Sequence, residues 1–252
     1  MKLTKGNYYS QEMNRKYWSA SQVKAFLKCP AAAMAEEDRP TSTALLVGSY
    51  VDAYFEKTLP AFKEAHPEIF NKRTGELKAD YQKADEMIAR ARSDKLFMEY
   101  MKGRKQVIKT GKICGLPFKI KMDIYRKGER IVDLKTARDL RPAYKSGEGT
   151  VTFADLWEWP LQMAIYQAIE GSRLPCFLAV VTKEDPPDLA LVEIPQNILD
   201  AELARLEDIL PRLDAIKRGI IEAPRCECCS YCRRTKRLTA PALLPDFIDY
   251  GL

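Results

Sequence analysis

The spacing of apolar residues changes period along this chain, and each change predicts an element. Between Ser19 and Cys29, Val23, Phe26 and Leu27 share one helical face. Ser19 and Gln22 have capping-box spacing, and Cys29-Pro30 ends the helix. A second helix is predicted over 42–57, apolar at Leu46, Val47, Tyr50 and Tyr54. From about 60 to 103 the chain is charged and mostly helical, broken by a turn at 71–75. The period then falls to two. Segments 107–110, 118–125 and 130–135 read as strands, with Gly111, Gly115 and Gly128 at turns. Pro160 opens a helix that runs to Gly171, and Pro175 precedes an apolar strand at 176–182, followed by another at 189–192. A long amphipathic helix closes the series, with Leu203, Leu206, Ile209, Leu210, Leu213 and Ile216 on one face. Helices, three strands, a helix and a further strand predict an α/β or α+β fold.

At 252 residues the chain sits near the upper limit for one hydrophobic core. A single domain over 1–252 is expected, with a helical N-terminal part at 17–105, a core at 106–195 and a C-terminal helix and cysteine-rich segment at 196–238. No run of residues is apolar enough to span a membrane, and the N-terminal residues lack a signal-peptide pattern. The expectation is a cytoplasmic protein with no membrane partner. A net charge of +6 favours a polyanion only mildly. The single histidine, His66, excludes a multi-histidine zinc site, and before Pro67 it reads as a solvated helix end. Seven cysteines in a cytoplasmic chain argue against a disulfide scaffold. Cys114 and Cys176 stand alone in apolar contexts and are expected to be buried thiols. Cys226, Cys228, Cys229 and Cys232 crowd together with metal-ligand spacing.

The chemistry concentrates in the segment 120–136, IKMDIYRKGERIVDLKT. Asp133 and Lys135 are two apart on a strand, so they share a face, and Asp123 lies on the other arm of the same hairpin. Hard carboxylate oxygens hold Mg²⁺, and a neighbouring ammonium orients water or neutralises charge on phosphorus, which is the set that phosphodiester hydrolysis requires. The bland alternative is the wet face of an ordinary hairpin. Register discriminates between them. A two- or four-residue loop pairs Asp123 with Val132 and puts the two acids on opposite faces. A three-residue loop at 127–129 pairs Asp123 with Asp133 on one face, and Gly128 supplies the left-handed residue that such a loop needs.

In order along the chain, Asp123, then Asp133-x-Lys135, then Gln162-x3-Tyr166 resembles the PD-(D/E)xK nuclease superfamily, and within it the RecB-type and phage exodeoxyribonuclease VIII-like members. Trp18-Ser19-Ala20-Ser21, Cys29-Pro30 and the stretch 44–49 are similar to the entry region of the latter, so the resemblance covers roughly 17–238. It implies a restriction-endonuclease-like α/β core, a mixed central sheet flanked by helices. It also implies Mg²⁺ or Mn²⁺ held by Asp123 and Asp133, Lys135 as the catalytic ammonium, and Gln162 and Tyr166 positioning substrate or lysine. Relatives often carry a metal-binding histidine on the early helix where this chain has Asp52, which is expected as a third metal ligand, with Glu56 one turn on and on the same face. Met122 stands where the motif's proline would be. The implied activity is exonucleolytic hydrolysis of DNA in phage-type recombination or DNA processing. The partners would be DNA, a single-strand annealing recombinase and further copies of the chain, in the bacterial host cytoplasm. An endonuclease of the same fold, or a non-catalytic DNA-binding or assembly module, remains open.

Three of the clustered cysteines, Cys226, Cys229 and Cys232, supply three thiolates, whereas a tetrahedral site needs four. RecB-type nucleases with a [4Fe-4S] cluster take one cysteine before the core and three after it, which implies Cys29 as the fourth. Zn²⁺ is the alternative, and an unmetallated basic tail flanked by Arg225, Arg233, Arg234, Lys236 and Arg237 is the bland one. Spacing separates the two metals. Sulfurs around one tetrahedral ion stand about 3.8 Å apart, and those around a cubane roughly 6 Å.

Overall fold

The structure, a computed structural model, describes residues 2–35, 42–145, 149–238 and 240. Short helices α1 (Gln11–Lys16), α2 (Ala20–Lys28) and α3 (Pro30–Met34) come first, then α4 (Thr43–Phe55), α5 (Leu59–Ala65), α6 (Ala79–Ser93) and α7 (Lys95–Tyr100). Three antiparallel strands follow, β1 (Arg104–Ile113), β2 (Leu116–Arg126) and β3 (Arg130–Ala137). A small hairpin of β4 (Ala143–Lys145) and β5 (Gly149–Val151), with α8 (Phe153–Leu156) and α9 (Trp159–Glu170), carries the chain over to β6 (Cys176–Thr182). Strand β7 (Leu189–Ile194), α10 (Gln196–Lys217) and α11 (Ser230–Thr235) complete it. The central sheet has the order β1-β2-β3-β6-β7, with β3 and β6 parallel and the other neighbours antiparallel. It is the mixed, helix-flanked α/β sheet that the resemblance implies.

Each face of the sheet has its own core. Ile131, Leu178 and Val180 pack with α2, α9 and α10, whereas Val132, Leu134, Ala179 and Val181 pack with α4, α6 and α7. That alternation places odd-numbered β3 residues, Asp133 and Lys135 included, on the α9 side. A buried lysine, Lys119, anchors the N-terminal segment across the sheet. Only 1% exposed, it donates to Asn14 Oδ1 at 2.8 Å and to the Tyr8 carbonyl. Trp18 adds a parallel bridge to the free edge of β2, its N–H donating to Pro117 O and its carbonyl accepting from Lys119 N–H, both at 2.8 Å.

Several local expectations need correction. Ser19 caps α2 by accepting from Gln22 N–H at 3.4 Å, but the Gln22 amide donates to Asn14 O at 2.7 Å rather than closing the capping box. Gly111 lies inside β1, not at a turn. A β-carbon there would stand 3.1 Å from Ile169 Cδ1, so glycine lets α9 approach the strand. Cys114 is exposed in the β1–β2 turn at φ 49°, and only Cys176 is a buried lone thiol. His66 caps the end of α5 and bonds Glu68, as a helix-end residue should. Among the described residues, no helix is long and apolar enough to cross a membrane.

Candidate active site

The three-residue loop at 127–129 forms with Gly128 at φ 77°, and the ladder pairs Ile124 with Val132, Tyr125 with Ile131 and Arg126 with Arg130. This register sets Asp123 opposite Asp133 and puts the two acids on one face. The ladder stops there. Beyond Ile124, β2 continues with β1 and meets Trp18 at Phe118, and β3 continues only with β6. The gap between the parting strands leaves Leu134 N–H without a strand partner, and Asp123 Oδ2 accepts from it at 3.1 Å.

The backbone is irregular at the same point. Phe118, Ile120 and Met122 pack on the α9 side, yet Ile124 packs on the opposite side and Tyr125 returns to the first. The alternation therefore slips by one at Asp123. Across from it on β1, Gln106 takes φ 52°, a left-handed conformation unfavourable for a residue with a β-carbon. Its Nε2 donates to Asp123 Oδ1 at 3.0 Å, and its Oε1 is buried without a partner. Both oxygens of Asp123 are thus held, one by Gln106 and the other by the Leu134 N–H. Strained backbone that persists is overdetermined by its surroundings and gathers at functional sites.

A cleft of about 460 Å³ opens over these residues. Asp52 from α4, Asp123 from β2, Asp133 and Lys135 from β3, and Gln162 and Tyr166 from α9 all line it. All six site residues expected from the sequence therefore come together, and Glu56 joins them at the wall. Lys135 Nζ pairs with Asp133 Oδ2, an oxygen with no other bond, while Gln162 Nε2 donates to Asp133 Oδ1 at 2.8 Å. The same Gln162 amide lies 3.3 Å from the Tyr166 hydroxyl.

The electrostatics follow from burying like charges together. Burial, reinforced by Asp133 and Glu56, pushes Asp52 up to about 7 against the pull of Lys135. Burial and the charges of Asp133 and Asp52 raise Asp123 well above the usual carboxylate range. Burial alone would lower the Lys135 ammonium, but Asp133 and Asp123 outweigh it and raise it, so it stays charged. Burial, then the two aspartates, keeps Tyr166 a neutral phenol. Buried carboxylates that repel one another fit a divalent cation, which relieves the repulsion that the lysine only partly offsets.

Two residues that bond the expected site residues directly escaped the sequence reading. One is Gln106. The other is Lys24 on α2, whose Nζ donates to Gln162 Oε1 at 2.9 Å and which burial and Lys135 lower to about 8. Neither carries a local signal, because each meets the site through packing of a distant element.

The cysteines form a second centre. The sulfurs of Cys29, Cys226, Cys229 and Cys232 all lie within 4.8 Å of one another. Cys228 stands outside the set, exposed, with its sulfur 3.6 Å from that of Cys226.

A mixed sheet that parts beside paired aspartates and a lysine, with a glutamine and tyrosine from the crossover helix, defines the PD-(D/E)xK nuclease superfamily with its restriction-endonuclease-like fold. The chain belongs to the family described as a PDDEXK-like domain of unknown function (DUF3799), whose model matches residues 19–235. It is similar to a crystal structure described as "Putative exonuclease" from Eubacterium rectale, with 41% identity, 100% of both chains covered and a TM-score of 0.94. A crystal structure of SSO0001 matches with 15% identity over 77% of this chain and 87% of that one, at a TM-score of 0.29 too low to bear on the fold. Among curated proteins none matches the sequence.

Proposed function

We propose that this nuclease-superfamily protein is a divalent-metal-dependent deoxyribonuclease that degrades DNA from ends, in phage-type recombination or DNA processing. The observation that carries the reading is the convergence of Asp52, Asp123, Asp133 and Lys135 in one cleft. The description of the Eubacterium rectale protein, similar over its whole length, supports the exonucleolytic choice. Asp52, Asp123 and Asp133 offer hard oxygen ligands suited to Mg²⁺ or Mn²⁺. When bound, such an ion lowers the pKa of a water and stabilises charge on the phosphate.

The chain's own residues do the rest. Gln106 and Leu134 N–H orient Asp123, and Gln162 orients Asp133. Lys135, charged and beside Asp133, is placed to orient the attacking water and to neutralise charge developing on phosphorus. Lys24 adds a second ammonium at the cleft wall, suited to a phosphate oxygen of the strand.

Linear and covalently closed circular DNA incubated with the protein and Mg²⁺ or Mn²⁺ test the proposal, with Asp133→Ala as control. Loss of linear DNA alone supports an exonuclease. Cleavage of both forms makes it an endonuclease, and cleavage of neither makes it a binding or assembly module.

A further inference from the structure

The resemblance to RecB-type nucleases implies a [4Fe-4S] cluster at the four cysteines, and the spacing of the sulfurs disagrees. Cubane ligands stand roughly 6 Å apart, because the cluster itself fills the space between them. Here Cys29 and Cys232 have their sulfurs 3.6 Å apart, Cys226 and Cys232 3.9 Å, and no pair in the set exceeds 4.8 Å. A single ion with four sulfurs at about 2.3 Å in a tetrahedron needs separations of about 3.8 Å. We infer that Cys29, Cys226, Cys229 and Cys232 form a closed structural site for one tetrahedral ion of the zinc class, and that this ion replaces a hydrophobic core for the C-terminal segment.

The backbone around the sulfurs is built for thiolates. Ala32 N–H points at Cys29 Sγ at 3.5 Å, Cys229 N–H at Cys226 Sγ at 3.3 Å, and Cys232 N–H at Cys229 Sγ at 3.4 Å. Donors aimed at three of four sulfurs stabilise negative charge on them. Glu227 at φ 58° turns the chain between Cys226 and Cys229, so that both sulfurs face one point while Cys228 faces solvent. No open ligand position is apparent, which is the arrangement of a structural rather than a catalytic site.

The need for such a staple shows in the burial. Across 217–238 every residue is described, and Cys232 is the sole buried one. Ile220 is 65% exposed and Leu238 85%. A segment with no apolar core does not hold its backbone in place without a substitute, and a structural metal is a common one. The tie runs to the junction of α2 and α3, where Cys29 caps α3 and Ala31 N–H donates to Pro224 O at 3.0 Å. Since α2 also brings Lys24 to the active-site cleft, the ion would brace one wall of that cleft from behind.

Metal content decides the matter without any activity measurement, so it stands apart from the nuclease proposal. The full chain, purified without oxygen, is expected to carry one zinc ion and neither iron nor inorganic sulfide. Replacement by Co²⁺ is expected to give the visible bands of a tetrahedral thiolate site. Cys228→Ser is expected to retain the zinc, and Cys29→Ser to lose it. Hydrogen exchange after chelation is expected to lose protection across 219–235 while the sheet keeps its own. Iron and sulfide with the broad visible absorption of a cluster would overturn the inference. So would a folded, metal-free chain, or a Cys228→Ser variant that releases the ion.

Discussion

The carboxylate cleft and the cysteine cluster both gather anionic ligands around a point, but they relate to the fold in opposite ways. The cleft is cut into a finished structure. Its floor is β2 and β3, with Ile124 and Val132 buried on the opposite face of the sheet, and gathering Asp52, Asp123 and Asp133 costs stability. The cysteine cluster sits in a segment where Cys232 alone is buried across 217–238, and under the inference above the ion supplies the organisation that packing does not. Removing a ligand from the first should cost activity and spare the fold. Removing one from the second should cost local structure first.

The largest effect belongs to the cleft. Asp133→Ala should lower DNA cleavage by on the order of a thousandfold, ~4 kcal/mol of transition-state stabilisation, while thermal melting changes little. Single-turnover cleavage beside a melting curve reads both quantities, and an unfolded Asp133→Ala would erase the contrast between the regions.

The next effect belongs to the cluster. Cys232→Ser should destabilise the C-terminal segment by about 3 kcal/mol, seen as faster hydrogen exchange there, with slower exchange retained in β3 and β6. Retained protection in the tail would mean that packing, not metal, holds it.

A sharper comparison lies at Gln106. At φ 52° an alanine pays about 1 kcal/mol that a glycine does not. Gln106→Gly should therefore be more stable than Gln106→Ala, the reverse of the usual order in a strand. Both variants lose the hydrogen bond to Asp123 and should cleave about tenfold more slowly, with a higher metal concentration at half-maximal rate. Equal stability of the two variants would show that the backbone relaxes freely there.

The last effect is a slope. Asp52 titrates near 4 unfolded and is pushed up to about 7 in the folded chain. The folded state therefore binds its proton more tightly, and the resulting stability is full below pH 4 and lost as pH rises through 7. In buffer free of divalent metal, Asp52→Asn should flatten that decline, as measured by denaturation at several pH values. An unchanged slope would mean that Asp52 is solvated rather than crowded by its neighbours.

What the sequence determined by itself was local. The turn around Gly128 narrowed the hairpin to two registers, because a hairpin's pairing is set by the few residues of its turn, and the folded chain takes the one that brings Asp123 opposite Asp133. The apolar periods of α2, α4 and α10 marked which faces would be buried, and Gln162 and Tyr166, one helical turn apart, were bound to share a face. The spacing at 226, 229 and 232 marked three thiols with metal-ligand spacing for the same reason. Tertiary structure decided what depends on distant segments meeting. It parted β2 from β3, turned Gln106 into the partner of Asp123, and brought Lys24 from α2 to Gln162 on α9. It placed Gly111 under Ile169 and left Cys114 in solvent, neither of which an apolar context reveals. It also set the sulfur separations at the cysteines, because the distance between Cys29 and Cys232 is a property of how α3 packs against the C-terminal segment, and no pattern of neighbours along the chain encodes it.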